Sequence, residues 1–135
     1  MERVIERVAL ARRALATLAE LVKLPAPSVV ERDAAIQRFA YSFEAVWKAV
    51  QLHLKQVEGL VMTSPKGVIR ASLQTGLLDE AETRQALQMV DDRNLTSHTY
   101  HEDLAKLIFS RVSDHARLMQ IWVERLGARL TALGR

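Results

Sequence analysis

Apolar residues in this chain recur at steps of three and four over stretches too long for strands, and that period sets the fold class. Val4, Val8, Ala11, Leu15, Leu18 and Val22 form one such stripe, which predicts a helix over residues 2–23. Pro25 and Pro27 end it, because neither can continue a helix. A second stripe of Phe39, Phe43, Val46, Trp47, Val50 and Leu54 predicts a helix opening near Ser28, where Ser28 and Glu31 have capping-box spacing, and stopping at Gly59. Ser64-Pro65 opens a short third helix with Val68, Ile69 and Leu73 as its apolar residues, closed by Gly76. Asp79 with Glu82 starts a fourth through Ala86, Leu87, Met89 and Val90. A fifth, from residues 99–102 to about 133, carries Leu104, Leu107, Ile108, Leu118, Met119, Trp122, Leu126 and Leu130. No strand-period run bounded by hairpin turns appears. The expected architecture is all-α: an antiparallel, up-and-down bundle of four to five helices, with the short third helix part of a connection.

A chain of 135 residues fits one domain, and no internal boundary or repeat divides 1–135. With 49% hydrophobic and 26% charged residues, the composition is that of a globular protein. No cysteine is present, which excludes disulfides and thiolate metal sites. The N-terminal stretch lacks a signal-peptide core, and no apolar run approaches the roughly 20 residues that span a bilayer. A cytoplasmic protein without membrane association is expected. The net charge of +3 is spread along the chain, so it permits an anionic partner without arguing for one.

The stretch after the fourth helix breaks the pattern. Residues 91–101 hold the only asparagine, two of the four histidines and one of the two tyrosines, and Asn94, Thr96, Ser97 and Thr99 are poor helix formers. Asp91 and Asp92 oppose the helix dipole at a C-terminal end, costing about 0.3–1 kcal/mol each, with Arg93 nearby to offset them. On an unbroken helix Arg93, Ser97 and Tyr100 share a face. Arg93 and His98, five apart, diverge by roughly 140° at about 100° per residue. They can converge only if the helix ends inside the stretch or a second protomer supplies one of them.

The chemistry open to such a set is narrow. Arginine is always charged and grips phosphate through paired hydrogen bonds, while histidine transfers protons near neutrality. Together they suit cleavage of RNA, whose 2′-hydroxyl is an internal nucleophile, with no metal ion and no cofactor. His98 and His101 lie three apart, but no H-E-x-x-H or carboxylate-rich pattern surrounds them, so no metal ligand set is expected.

The run Arg93-Asn94-Leu95-Thr96-Ser97-His98-Thr99-Tyr100 resembles the RNxxxHxY signature of the HEPN superfamily, in its HepT-like, nucleotidyltransferase substrate-binding branch. The resemblance extends in order through residues 38–48, Ser64-Pro65 with residues 68–71, and residues 76–79, and so covers roughly residues 30–110. It implies a helical homodimer, or a higher oligomer, with the motif in a cleft between protomers, and a minimal nucleotidyltransferase as partner. In the toxin–antitoxin versions the helical protein is an RNase toxin, silenced when the partner adds adenylate to the motif tyrosine. By motif position Arg93 and His98 would be catalytic and Tyr100 the modification site. Asn94, Ser97 and Tyr100 would contact the RNA or nucleotide substrate, with Glu44 and Lys48 bordering the cleft.

Plainer roles stand beside these. Arg93 can pair with Asp91 or Asp92, His98 can bond the backbone of a turn, and the Tyr100 ring can pack at the start of the fifth helix. Phe39, Phe43 and Trp47 read as a core stripe, Glu44–Lys48 as an i,i+4 pair, and Ser64 as a simple cap. His53 is expected at the surface and His115 in the core or at an interface. Three functions compete: an RNase toxin, a non-catalytic subunit presenting nucleotide or another substrate to the nucleotidyltransferase, and a purely structural helical dimer.

Overall fold

Side-chain caps start three of the five helices where the sequence places them. In the computed structural model, which describes residues 1–134, Ser28 Oγ accepts from Glu31 N at 3.1 Å and Ser28 N donates to Glu31 Oε1 at 2.9 Å. This reciprocal box opens α2 (Val29–Gln56), which follows α1 (Glu2–Val22). Ser64 Oγ accepts from Gly67 N at 3.1 Å, with Pro65 at the first position of α3 (Pro65–Gln74). Asp79 and Glu82 repeat the box at 2.8 and 2.9 Å to open α4 (Glu80–Leu95). Gly76 ends α3 at φ +80°, a left-handed turn that costs a residue without Cβ little. The last helix, α5 (Glu102–Leu133), is roughly 48 Å long at about 1.5 Å per residue.

Helices α1, α2 and α5 pack together, and the α3–α4 pair covers α2 and α5. Arg38 Nη1 of α2 donates to Thr17 O of α1 at 2.6 Å, while the Met1 amino group reaches Gln56 at 3.3 Å, so these two helices are antiparallel. Helices α2 and α5 run the same way: Arg32 forks onto Glu102 at 2.6 and 3.1 Å near their starts, and Phe39 stacks on His115 at 5.4 Å further along. The segment after α2 doubles back along it, held where Gln51 Nε2 donates to Met62 O at 2.7 Å. The short α3 thus sits within a connection, as its length suggested.

The largest buried side chains include Trp122, Phe39, Phe43, Leu54 and Met119. Trp122 Nε1 donates to Ser72 Oγ at 3.2 Å, and Ser72 Oγ donates to Val68 O at 2.9 Å, so the buried indole N–H is satisfied. Two leucines expected on apolar faces, Leu73 and Leu107, are exposed. No helix among the described residues is long and apolar enough to cross a membrane.

His53 corrects an expectation. It is fully buried, not at the surface, because it lies between Val50 and Leu54 on the core side of α2. Neither ring nitrogen has a hydrogen-bond partner; Glu58 Oε1 stands 3.9 Å from Nε2. Burial pushes its pKa below the ordinary histidine value; Glu58 opposes this and Arg129 adds to it. The folded state therefore declines a proton that the unfolded chain accepts. The resulting stability is complete above the ordinary histidine pKa and is lost as pH falls through it. The urea midpoint of the wild type is expected to drop between about pH 7 and pH 5, and His53→Leu to flatten that drop. Parallel pH profiles for the two proteins would refute this assignment.

Candidate functional site

Helix α4 ends inside the polar stretch, and the Thr96 side chain ends it. Thr96 Oγ1 and Thr96 N both donate to Arg93 O, the hydroxyl at 2.7 Å, and the chain tightens into a 3₁₀ turn over Thr96–His98. His101 N then donates to His98 O at 3.1 Å, and extended backbone at His101 (ψ 111°) redirects the chain into α5. No residue here needs a positive φ, which is why the break requires neither glycine nor proline.

Two adjacent residues in the last turn of α4 face different neighbours. Asp92 is 1% exposed and points at α5, where its carboxylate accepts from Arg111 Nη1 at 2.8 Å and sits 2.7 Å from His115 Nε2. Gln88 Nε2 completes the set at 3.1 Å. Arg93 points at α2 instead, with Nε 3.2 Å from Glu44 Oε1. That contact is a charge pair without aligned hydrogen-bond geometry, since Nε has no hydrogen-bond partner. Glu44 also accepts from Trp47 Nε1 at 3.2 Å and lies 3.8 Å from Lys48 Nζ. Asp91 pairs with Lys66 of α3 at 3.1 Å. The acids at this helix end are therefore matched by Lys66, Arg111 and His115. Arg93 pairs with neither Asp91 nor Asp92, because the i−1 and i−2 positions lie around the helix from it.

His98, Asn94 and Ser97 are exposed on the turn. The Tyr100 ring is 76% exposed, not packed at the start of α5; it meets His98 edge-on at 6.0 Å and lies 4.4 Å from His101. The structure brings Arg93 to Glu44, which also lies beside Lys48, and sets His98 beside Tyr100. The 3₁₀ turn that carries His98 packs against α2 as well as α4 and α5. Trp47, read as core, is half-buried and serves Glu44 with its N–H, while Phe39 and Phe43 are buried as expected.

Asp92 is the anchoring residue whose partners the sequence did not disclose. Its neighbour Arg93 drew attention, and its partners lie 19 and 23 residues downstream, beyond any local pattern. A signal was present in the two acids at a helix C-terminus, for which the sequence offered the single nearby cation Arg93. A groove of about 550 Å³ between α4 and α5, lined by Gln85, Gln88, Arg111 and Asp114, contains none of the motif residues from Arg93 to Tyr100. No group of three or more metal-ligating side chains occurs among the described residues.

Residues 6–128 match the family model described as nucleotidyltransferase substrate binding protein like. The match takes in the two ends that the motif resemblance left unassigned. A Haemophilus influenzae protein named as a probable ribonuclease HepT is 27% identical over 110 residues, covering 76% of this chain and 74% of that protein. A Thermus thermophilus crystal structure is 60% identical and superposes with a TM-score of 0.84, covering 86% of this chain and 98% of that one. The tri-AMPylated Shewanella oneidensis HEPN toxin, solved in complex with its MNT antitoxin, shares the fold at 16% identity with a TM-score of 0.75, covering 93% and 96%.

Removing the Asp92 carboxylate leaves His115 and Arg111 facing an apolar gap. Asp92→Ala is expected to destabilise the protein by about 1–3 kcal/mol in urea unfolding. Arg93→Ala, at a half-exposed pair, is expected to cost about 0–1 kcal/mol. Equal costs for the two would contradict the division into a buried anchor and a loosely held arginine.

Proposed function

This chain belongs to the nucleotidyltransferase substrate binding protein like family, and from that premise we propose that it is a HepT-like, metal-independent RNase toxin. Its proposed partner is a minimal nucleotidyltransferase antitoxin that silences it by adenylylation. The observation that carries the reading is the helix break at Thr96, which leaves His98 and Tyr100 exposed and holds Arg93 by one loose charge contact.

In this reading the RNA 2′-oxygen attacks the adjacent phosphorus and loses its proton to a base. The P–O5′ bond breaks, and the departing 5′-oxygen takes up a proton. His98 serves proton transfer. Arg93 stabilises the charge that develops on the phosphoryl oxygens, where positioned cations contribute most. Its terminal N–H groups make no hydrogen bond to the protein among the described residues, so they are available for bidentate contact with phosphate. Asn94 and Ser97 flank the scissile group, and Glu44 and Lys48 border the cleft. In this reading the active unit is a homodimer in which the two motifs face each other across a two-fold axis.

Silencing follows from the exposure of Tyr100. Its phenolic oxygen attacks the α-phosphorus of ATP held by the nucleotidyltransferase, pyrophosphate leaves, and the phenolic proton is lost. The added adenylate then occupies space beside His98, and its charge repels a second phosphate. A partner that draws on ATP would act in the cytoplasm, which is the location this reading proposes.

The description of the matched family favours a second reading, in which the cleft binds nucleotide or another substrate for the nucleotidyltransferase without cleaving RNA. Unmodified wild-type protein is expected to cleave RNA and arrest growth, and His98→Ala to lose both by at least about 100-fold while keeping its thermal midpoint. Co-expression with the nucleotidyltransferase is expected to add adenylate mass that disappears in Tyr100→Phe. Unmodified wild-type protein that leaves RNA intact yet binds nucleotide through Arg93 would establish the second reading instead.

A further inference from the structure

A trough runs along the solvent side of α2 away from Glu44. Two adjoining hollows, of about 300 and 260 Å³, lie between α1 and α2 and between α2 and the returning segment, and they share Arg7 and Lys48. The cations along this path are Arg7, Lys48 and Lys55. Among the described residues Glu44 is the only acid lining it, and that carboxylate is already committed to Trp47 and Arg93. Among the described residues Arg7 and Lys55 form no ion pair. Other cations of the bundle, such as Arg13 and Arg84, are also without an ion pair among the described residues, but they stand apart, whereas Arg7, Lys48 and Lys55 line adjoining hollows.

We propose that this trough is a track for the backbone of single-stranded RNA, leading several nucleotides of substrate to Arg93. The proposal rests on the RNase reading and extends it from a cleavage point to a binding path. Lys48 and Lys55 are two helical turns apart on one face, a separation of roughly 10 Å along the axis, so they can meet successive phosphates rather than the same one. The wall between the cations carries half-exposed Tyr41 and exposed Leu10 and Val61, faces on which unpaired bases can lie. A duplex keeps its base faces stacked inside and cannot use them. At its near end the track meets the motif through one residue, since Glu44 stands 3.8 Å from Lys48 and 3.2 Å from Arg93.

The test measures binding of a 5′-fluorescein-labelled twelve-nucleotide oligouridylate by anisotropy across a salt series, with His98→Ala present throughout to prevent cleavage. Adding Arg7→Ser and Lys55→Ser together is expected to weaken binding about tenfold or more. It is also expected to flatten the slope of log K against log salt by roughly 1.4, two contacts at about 0.7 each. Adding Arg13→Ser with Arg84→Ser removes the same charge outside the trough and is expected to leave the slope unchanged. Equal losses from both pairs would reduce the effect to net charge and overturn the track. So would unaltered RNA binding with loss of self-association or of the nucleotidyltransferase complex, which would make the trough a protein interface. Cleavage by wild-type protein of the same oligonucleotide separates the two claims. Cleavage with binding indifferent to Arg7 and Lys55 removes the track alone. Tight binding dependent on those residues, without cleavage, removes the RNase reading and keeps the track.

Discussion

The Asp92 carboxylate, buried between α4 and α5, decides where the motif points. A carboxylate taken out of water is costly unless every lone pair finds a donor. Here Arg111, Gln88 and His115 converge on it from two helices at 2.7–3.1 Å. His115 is in turn stacked on Phe39, so the polar cluster is continuous with the core of α2 and α5. Rotation of the last turn of α4 about its axis would break all of these contacts together. With Asp92 fixed toward α5, the next residue must project about 100° away, and for Arg93 that direction is the Glu44 face of α2.

The same constraint explains why the motif can end a helix without glycine or proline. The last carbonyls of α4 need donors once the helix stops. Thr96 supplies two to the Arg93 carbonyl, from its hydroxyl and its backbone N–H, and the His98 carbonyl is met from His101. The turn is therefore satisfied by its own polar residues, and its imidazole and phenol rings are left with one another and with solvent. Residues that are poor helix formers in the abstract are the ones that close this helix end, so the local preference and the fold agree here.

What could be read in the sequence divides along the range of the interactions. Capping boxes at Ser28 and Asp79 are closed by residues three positions away, and the apolar stripes need only helical period, so both were legible and hold in the structure. The partners of the motif were not. Arg93 was read against its neighbours Asp91 and Asp92, but its counter-charge is Glu44, 49 positions earlier on another helix. His53 was misplaced because a histidine reads as polar while its register places it in the core. Leu73 and Leu107 erred the other way, as apolar residues at the edge of a stripe that no other helix covers. The pairing of α2 with α5 in the same direction also escaped, because it depends on the segment before α3 doubling back, for which the sequence carries no periodic signal.

Glu44 then acquires a role that a local i,i+4 pair does not suggest. It holds Arg93 through a contact of poor hydrogen-bond geometry while Trp47 fixes its other oxygen. Such a pair orients a guanidinium without saturating it, and a phosphate brings a stronger, bidentate partner. Arg93 keeps its charge in either state, so the exchange of Glu44 for phosphate requires no proton movement. On the proposed RNase reading the proton chemistry would fall to the turn, where His98 is open to solvent with Tyr100 beside it. Arg93, held toward α2, would then meet the anion, and the short turn that Thr96 closes would carry the proton donor and acceptor. Asp92, fixed against α5 one residue before Arg93, sets the direction of the first and leads into the second.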